Sequence, residues 1–186
     1  MSRLNLQAKS IYINDCFVLE DEAAISPFDA GFLFGDGLFE TIRTYHGTPF
    51  LLDEHLARLR RGLQKLALPE PQNLAQSSVI ISKLLTANQL NRTAGTIKLV
   101  VSRGEPGRDN SNTPSNLMIR ASTLDLKSIQ QRQLGLRALI LPWNRDRHNP
   151  LLTIKSLNYL ENRYGLQEAR EKGFDEGIFL NQEGEL

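Results

Sequence analysis

The sequence has little of several things that mark particular classes of protein. Among 186 residues it has one cysteine, Cys16, so no disulfide can form within the chain, which is typical of a reducing compartment. Its 22 basic and 21 acidic residues leave a net charge of +1, without the basic excess that nucleic-acid binding requires. No run of residues approaches the roughly 18 apolar residues of a membrane span, and the first residues lack the apolar core of a signal peptide. We therefore expect a cytoplasmic protein that binds neither nucleic acid nor membrane.

What the sequence does contain is a mixed pattern of strands and helices. Short β-prone runs flank Asn14 and Asp15, which predicts a hairpin, and leucines spaced three and four apart after Asp53 predict a helix. Strands are predicted at residues 95–103 and 116–122, on either side of a polar loop that contains glycine and proline. This order of elements indicates the α/β (α+β) class.

The pattern divides the chain into two domains. Residues 123–133 are polar and lack a strong apolar period, so we interpret them as the connection between a domain at 1–122 and another at 134–186. The second domain is predicted to contain a buried strand at 136–141, a helix at 157–172 and a strand at 176–181. A predicted turn at 182–184 is followed by only two residues, whereas a hairpin turn needs a following strand. We therefore expect the second domain to be incomplete.

Lys155 is the first candidate for chemistry. It lies between apolar or β-branched residues and the start of the predicted helix, where apolar neighbours would lower its affinity for a proton. A neutral lysine amine can form a Schiff base with an aldehyde such as pyridoxal phosphate. The alternative is a solvated lysine, which is more common because lysines are rarely buried. No metal site is predicted, since His46 and His148 stand isolated beside turn residues.

Two further features allow both a functional and a structural interpretation. Gly35, Asp36 and Gly37 form either a bend that passes close to a ligand or a plain tight turn. His55 and Arg58 share a face of the predicted helix, where Arg58 could bind a phosphate group. A solvated basic face is the competing interpretation of this pair.

Two arginines and a tyrosine complete the candidates. Arg103 and Arg108 place guanidinium groups around a flexible loop, which suits either a substrate carboxylate or a solvated loop. Tyr159 lies four residues after Lys155, on the same face of the predicted helix, where its hydroxyl could reach a cofactor oxygen. Packing of the ring is the more common role of such a tyrosine.

Five motifs occur in a characteristic order. They are FDAG at residues 28–31, FGDGLFETIR at 34–43, HLARL at 55–59, VSRG at 101–104 and IKSLNYL at 154–160. In this order the chain resembles the fold-type IV pyridoxal-phosphate enzymes, which include branched-chain aminotransferases, D-amino-acid aminotransferases and aminodeoxychorismate lyase. The resemblance implies two α/β domains with pyridoxal 5'-phosphate between them, a small-molecule amino substrate and, usually, a homodimer.

The resemblance also implies roles for single residues. It makes Lys155 the lysine that carries the cofactor and moves the proton, and it makes Arg58 a ligand of the cofactor's phosphate. Tyr159 matches a tyrosine near the pyridoxal phenolic oxygen in branched-chain members. The predicted substrate contacts are Arg108, Phe34 and Arg43. Arg108 matches a loop arginine that handles a substrate carboxylate, and Phe34 stands where several aminotransferases have a tyrosine.

The motifs favour one reaction without excluding another. Thr41, the loop at residues 101–108 and the segment at 149–158 are similar to aminodeoxychorismate lyase, whereas residues 143–145 are similar to branched-chain aminotransferases. The expected activity is conversion of 4-amino-4-deoxychorismate to 4-aminobenzoate and pyruvate, a step of folate biosynthesis. The alternative is an aminotransferase that acts on branched-chain or D-amino acids with 2-oxoglutarate.

A third alternative concerns the extent of the chain. In the family, the residues that complete the phosphate and pyridine-nitrogen contacts follow the position of Leu186. We therefore also consider a truncated, catalytically weak or non-catalytic chain that binds the cofactor poorly.

Overall fold

The computed structural model describes residues 9–105 and 114–186, which form two compact units. The first unit extends to Leu124 and also includes Lys155–Leu157. The second unit comprises Asp125–Ile154 and Asn158–Leu186. The chain thus leaves the first unit at Leu124 and returns to it for three residues.

The first unit is built on an antiparallel sheet of six strands in its described part. The strands are β1 (Ser10–Ile13), β2 (Cys16–Leu19), β3 (Gly37–Tyr45), β4 (Thr48–Pro49), β5 (Gly95–Ser102) and β6 (Asn116–Thr123). They lie in the order β2-β1-β6-β5-β3-β4. The predicted hairpin at Asn14 and Asp15 is confirmed as the connection between β1 and β2.

Three helices in the described residues pack on this sheet. They are α1 (Ala30–Phe34), α2 (Leu52–Lys65) and α3 (Ser77–Ala87), and a short 3₁₀ helix, Leu74–Gln76, precedes α3. Leu56, Leu59 and Leu63 recur at three- and four-residue spacing along α2 and are buried, as the leucine pattern predicts. The helix α2 packs on β3, and α3 packs on β1 and β6.

The alternation of β3 determines which side chains face the helices. Leu38 and Ile42 point into the core with Leu99 of β5, and all three are at most 1% exposed. Phe39 points to the opposite face, toward the side of the sheet that carries Lys98. Successive residues of β3 therefore contribute to the core and to the open face in turn.

The second unit contains shorter elements. They are α4 (Leu126–Gln133), β7 (Ala138–Ile140), a 3₁₀ helix at Pro150–Thr153, α5 (Leu160–Glu171) and β8 (Glu176–Ile178). β7 and β8 pair in parallel. Leu141 and Ala169 are buried. A Cβ at Gly165 of α5 would lie 2.6 Å from Leu141 Cδ1, and a Cβ at Gly177 of β8 would lie 2.8 Å from the Gly165 carbonyl oxygen, so α5 packs closely on β8.

Residues 126–133 of the expected connection form α4, because lysine, glutamine and arginine are good helix formers even without an apolar period. Two other expectations for this region need correction. The strand β7 is not buried, since Ile140 is 59% exposed. The predicted helix at 157–172 begins only at Leu160, because Leu157 hydrogen-bonds to Gly37 instead.

Candidate active site

Lys155 is held against the edge of β3 by backbone pairing. The amide of Phe39 donates to the Lys155 carbonyl at 3.0 Å, and the amide of Leu157 donates to the Gly37 carbonyl at 2.9 Å. The intervening Ser156 forms an antiparallel bridge with Leu38, which places Lys155 opposite Phe39. This lysine is therefore fixed in a short extended segment of the first unit.

The amine of Lys155 has an apolar and positively charged environment. Its Nζ atom lies 4.2 Å from the centroid of the Phe39 ring, and the Nζ atom of Lys98 lies 4.4 Å from the same centroid. Burial lowers the pKa of Lys155, and the charges of Arg58 and Lys98 lower it further, whereas Glu40 acts in the opposite direction. The net pKa is below the usual value of a lysine, which favours the partly buried amine over the solvated alternative.

Glu40 follows Phe39 on β3, points to the opposite face of the sheet and binds two side chains of α2. It is 1% exposed, and its Oε1 atom accepts from Arg58 Nε at 2.7 Å while Oε2 accepts from Arg58 Nη2 at 2.5 Å. The Nδ1 atom of His55 lies 2.8 Å from the same Oε2 atom. Burial alone would raise the pKa of Glu40, but the hydrogen bonds from Arg58 and His55 outweigh it and the pKa is lowered. The hydrogen bond to Glu40 raises the pKa of Arg58 in turn.

The bend before β3 has a structural explanation. Gly35 ends α1 with a left-handed φ of 70°, and a Cβ at Gly37 would lie 2.3 Å from the Val101 carbonyl oxygen. Arg103 fixes the bend by donating from Nε to Asp36 Oδ2 at 2.5 Å and from Nη2 to the Leu66 carbonyl at 3.0 Å. Arg103 therefore has a structural role, and the suggestion that it receives a substrate carboxylate is not supported.

A buried carboxylate anchors the start of α1. Asp29 is 1% exposed and accepts hydrogen bonds from Ser102 Oγ at 2.6 Å, Asn116 Nδ2 at 2.7 Å and the Phe32 amide at 3.1 Å. These contacts join the segment before β3 to β5 and β6. A cavity of about 800 Å³ opens beside this anchor, and its lining includes Leu157 but not the Lys155 amine.

The other predicted site residues are placed as follows. Phe34 is 68% exposed at the end of α1. Arg43 stacks on Tyr45, with its Cζ atom 4.7 Å from the ring centroid. Because Arg43 follows Phe39 by four strand residues, it lies about 13 Å further along β3. Arg108 lies outside the described residues. The structure thus joins Arg58 to Glu40, whose charge acts on Lys155, and it places Arg43 further along β3.

Tyr159 requires a correction. It precedes α5 as its N-terminal flanking residue and is 43% exposed, whereas Lys155 lies in the extended segment. The two residues do not share a helical face, so that part of the argument for Tyr159 is wrong. Its predicted contact with the cofactor rests on the resemblance alone.

Sequence reasoning missed Glu40, Phe39 and Lys98 as members of the site. A signal for Glu40 was present, because it occupies an inward position between Leu38 and Ile42, where a charge needs a buried partner. Phe39 and Lys98 gave no comparable signal. Their contact depends on strand pairing between distant segments.

Two other features, a metal cluster and a membrane-spanning helix, are absent from the residues that the structure describes. No group of three or more histidine, cysteine, aspartate or glutamate side chains in these residues could hold a metal ion. Among the helices in residues 9–105 and 114–186, none is long and apolar enough to cross a membrane.

The fold and the motifs define a known family. Residues 37–186 match the family described as Amino-transferase class IV, and the chain belongs to this family. Solved structures with the same fold include fold-type IV aminotransferases, as the order of motifs predicted.

Particular relatives differ in activity. The chain is 32% identical to aminodeoxychorismate lyase of Bacillus subtilis, covering 94% of this chain and 59% of that protein. It is 30% identical to D-alanine aminotransferase of Bacillus licheniformis, covering 91% and 59%. The structure of a branched-chain aminotransferase from Thermoproteus uzoniensis with norvaline has a TM-score of 0.78 at 26% identity, covering 95% and 61%. The chain thus spans about 60% of the length of the relatives it matches.

Proposed function

We propose that the protein is a pyridoxal-phosphate-dependent enzyme in which Lys155 carries the cofactor. The observation that supports this best is the environment of Lys155, a partly buried amine beside Phe39 whose backbone is fixed to β3 and whose pKa is lowered. Attachment to an aldehyde requires a neutral amine, and desolvation increases the neutral fraction at a given pH. Lys155 has the environment that this chemistry needs.

Arg58 fits the phosphate group of the same cofactor. A guanidinium has five N–H donors, and Arg58 directs its Nε and one Nη2 hydrogen to Glu40. The other donors belong to a side chain that is half exposed, so they remain accessible to an anion. Planar, multiple hydrogen bonding of this kind is well suited to phosphate.

Different residues of the chain have different roles in the reaction. Pyridoxal phosphate, when bound, supplies an electron sink for the bond that breaks at the substrate carbon. Lys155 Nζ accepts and returns the proton at that carbon, and its lowered pKa increases the neutral fraction of the amine that can accept it. Phe39 covers one side of this amine, and Glu40 fixes Arg58.

The reaction we propose is release of 4-aminobenzoate and pyruvate from 4-amino-4-deoxychorismate, a step that provides a folate precursor. The lyase-like motifs and the similarity to the Bacillus subtilis lyase support it. Transamination of D-amino or branched-chain amino acids is the second candidate, supported by the similarity to the other two relatives. Arg108, Phe34 and Arg43 are the proposed substrate contacts, and Tyr159 is a proposed cofactor contact.

The cellular setting is part of the proposal. A cytoplasmic location is supported by the single cysteine, Cys16, which is exposed. A homodimer is supported by three aromatic side chains, Phe28, Phe32 and Phe34, each at least 67% exposed within one short segment.

The test uses the full-length protein with pyridoxal phosphate and 4-amino-4-deoxychorismate. The expected result is equal release of 4-aminobenzoate and pyruvate, lost in Lys155→Ala and retained in Lys83→Ala, which changes an exposed lysine of α3. A parallel assay supplies D-alanine or a branched-chain amino acid together with 2-oxoglutarate. Formation of glutamate and a 2-oxo acid there, with no 4-aminobenzoate in the first assay, would favour the aminotransferase. If borohydride fixes no cofactor on Lys155 and neither product forms, the proposed function is wrong.

A further inference from the structure

Glu40 is an unusual residue for its position on β3. Its neighbours on the inward face, Leu38 and Ile42, are at most 1% exposed, and Glu40 itself is 1% exposed. A carboxylate in such surroundings lowers stability unless hydrogen-bonded cations compensate for its lost hydration. An apolar residue of similar volume would satisfy the packing alone, so packing does not explain the carboxylate.

The contacts of Glu40 are directed at the side chain that is proposed to bind phosphate. Both oxygens accept from Arg58, at 2.7 and 2.5 Å, in a side-on pair that fixes the plane of the guanidinium. The Nδ1 atom of His55 also lies 2.8 Å from Oε2, and the His55 side chain is 20% exposed. The carboxylate is therefore itself held in place, and an arginine on a long flexible side chain gains a defined orientation from it.

We propose that Glu40 is a positioning residue of the site, which orients the Arg58 guanidinium so that its outward N–H groups bind the phosphate of the cofactor. The inference rests on the proposed use of pyridoxal phosphate and extends it to a residue that does not touch the cofactor. A residue that hydrogen-bonds to a ligand-binding side chain strongly affects affinity for the ligand, since it holds that side chain in the rotamer that binding requires.

The same carboxylate acts on Lys155 through its charge. Burial lowers the pKa of Lys155, and the negative charge of Glu40 opposes this decrease. The groups that act on the amine are Glu40, Arg58 and Lys98. Replacing Glu40 with glutamine removes the opposing charge, so Lys155 would become neutral at a lower pH while Arg58 loses its orientation.

The experiment compares two aldehydes that differ only in the phosphate. Pyridoxal phosphate and pyridoxal are titrated separately into the full-length protein, and attachment to Lys155 is followed by absorbance and by borohydride reduction with peptide mapping. The wild type should prefer the phosphorylated form. In Glu40→Gln, we expect affinity for pyridoxal phosphate to fall about tenfold or more, with affinity for pyridoxal unchanged or slightly increased.

Two variants serve as controls for this comparison. Glu70→Gln removes another glutamate that pairs with an arginine of α2, since Glu70 Oε1 accepts from Arg60 Nε at 3.1 Å on the exposed surface. It should leave the preference for phosphate unchanged. Arg58→Lys keeps the charge but not the side-on pair, and it should reduce the preference as Glu40→Gln does. The double variant should show little further loss, because both changes remove one interaction.

The outcomes separate this inference from the proposed function. If wild type attaches neither aldehyde at Lys155, the proposed function fails. If wild type prefers pyridoxal phosphate and a folded Glu40→Gln keeps the full preference, Glu40 is not a positioning residue and the proposed function stands. Should Glu40→Gln not fold, His55→Ala removes one support of the carboxylate, and an unchanged preference in that variant together with an unchanged Arg58→Lys would overturn the inference.

Discussion

Removing the carboxylate of Asp29 should destabilise the first unit far more than removing an exposed carboxylate. Asp29→Ala takes the acceptor away from the Ser102 hydroxyl, the Asn116 amide and the Phe32 amide. Each donor that stays buried without a partner costs about 1–3 kcal/mol, and relaxation of the exposed part of the segment recovers some of it. We expect a loss of about 3 kcal/mol in the free energy of unfolding, which corresponds to a decrease of about 6–12 °C in Tm.

The assay is urea and thermal unfolding followed by circular dichroism. Asp21→Ala is the matched control, because Asp21 lies on an exposed turn of the same segment, and it should change stability by no more than about 0.5 kcal/mol. Asp29→Asn should lie between the two, since it retains one of the two acceptor oxygens.

A double-mutant cycle tests the cause of the Asp29 effect. Ser102→Ala should cost less in the Asp29→Ala background than in the wild type, by about 1 kcal/mol, because the hydroxyl has already lost its acceptor. The reasoning is refuted if Asp29→Ala is as stable as Asp21→Ala, or if the effects of Asp29→Ala and Ser102→Ala are additive.

Two further predictions concern the surroundings of Lys155 and the packing of α2. Lys98→Met removes a positive charge that lowers the pKa of Lys155, so the pH profile of aldehyde attachment at Lys155 should move to higher pH. The control Lys83→Met, at an exposed lysine, should leave the profile unchanged. A shift to lower pH in Lys98→Met would contradict the effect of Lys98 on Lys155. Gly62→Val should lower stability by about 1–3 kcal/mol, because a Cβ at Gly62 would lie 2.7 Å from the buried Leu38 Cδ1. The control is Gln64→Val on the exposed side of α2, and equal urea midpoints for the two variants would disprove the packing argument.

The sequence predicted those parts of the fold that depend on local periodicity. The leucine spacing of α2 and the turn at Asn14 depend on residues that are close together in the sequence, so both can be recognised along the chain. The order of the sheet is different, because β6 lies between β1 and β5 only after distant segments pair. The beginning of α5 was predicted too early for the same reason, since Leu157 pairs with Gly37 across the fold.

The sequence allowed the reactive residues of the candidate site to be predicted, but not the residues that contact and orient them. Lys155 and Arg58 could be proposed from residue type and motif order, and the structure adds the partly buried environment of one and the partner of the other. The contact between Glu40 and Arg58 joins a strand to a helix, and no spacing rule along the sequence reveals it. The contacts of Lys98 and Lys155 with the same ring, that of Phe39, likewise depend on the pairing of β3 with two distant segments.

The return of Lys155–Leu157 to the first unit has a consequence for synthesis. The six strands described in that unit leave the ribosome before residues 125–154, and Lys155 follows them. At about 5–20 residues per second, the sheet has a few seconds in which the outer edge of β3 near Gly37 and Phe39 is open. An open edge can pair with another chain. When Lys155–Leu157 pairs with β3, it covers this edge and places the Lys155 amine beside Phe39 at the same time. A newly synthesised sheet whose β3 edge is still open therefore does not yet contain Lys155 in its site.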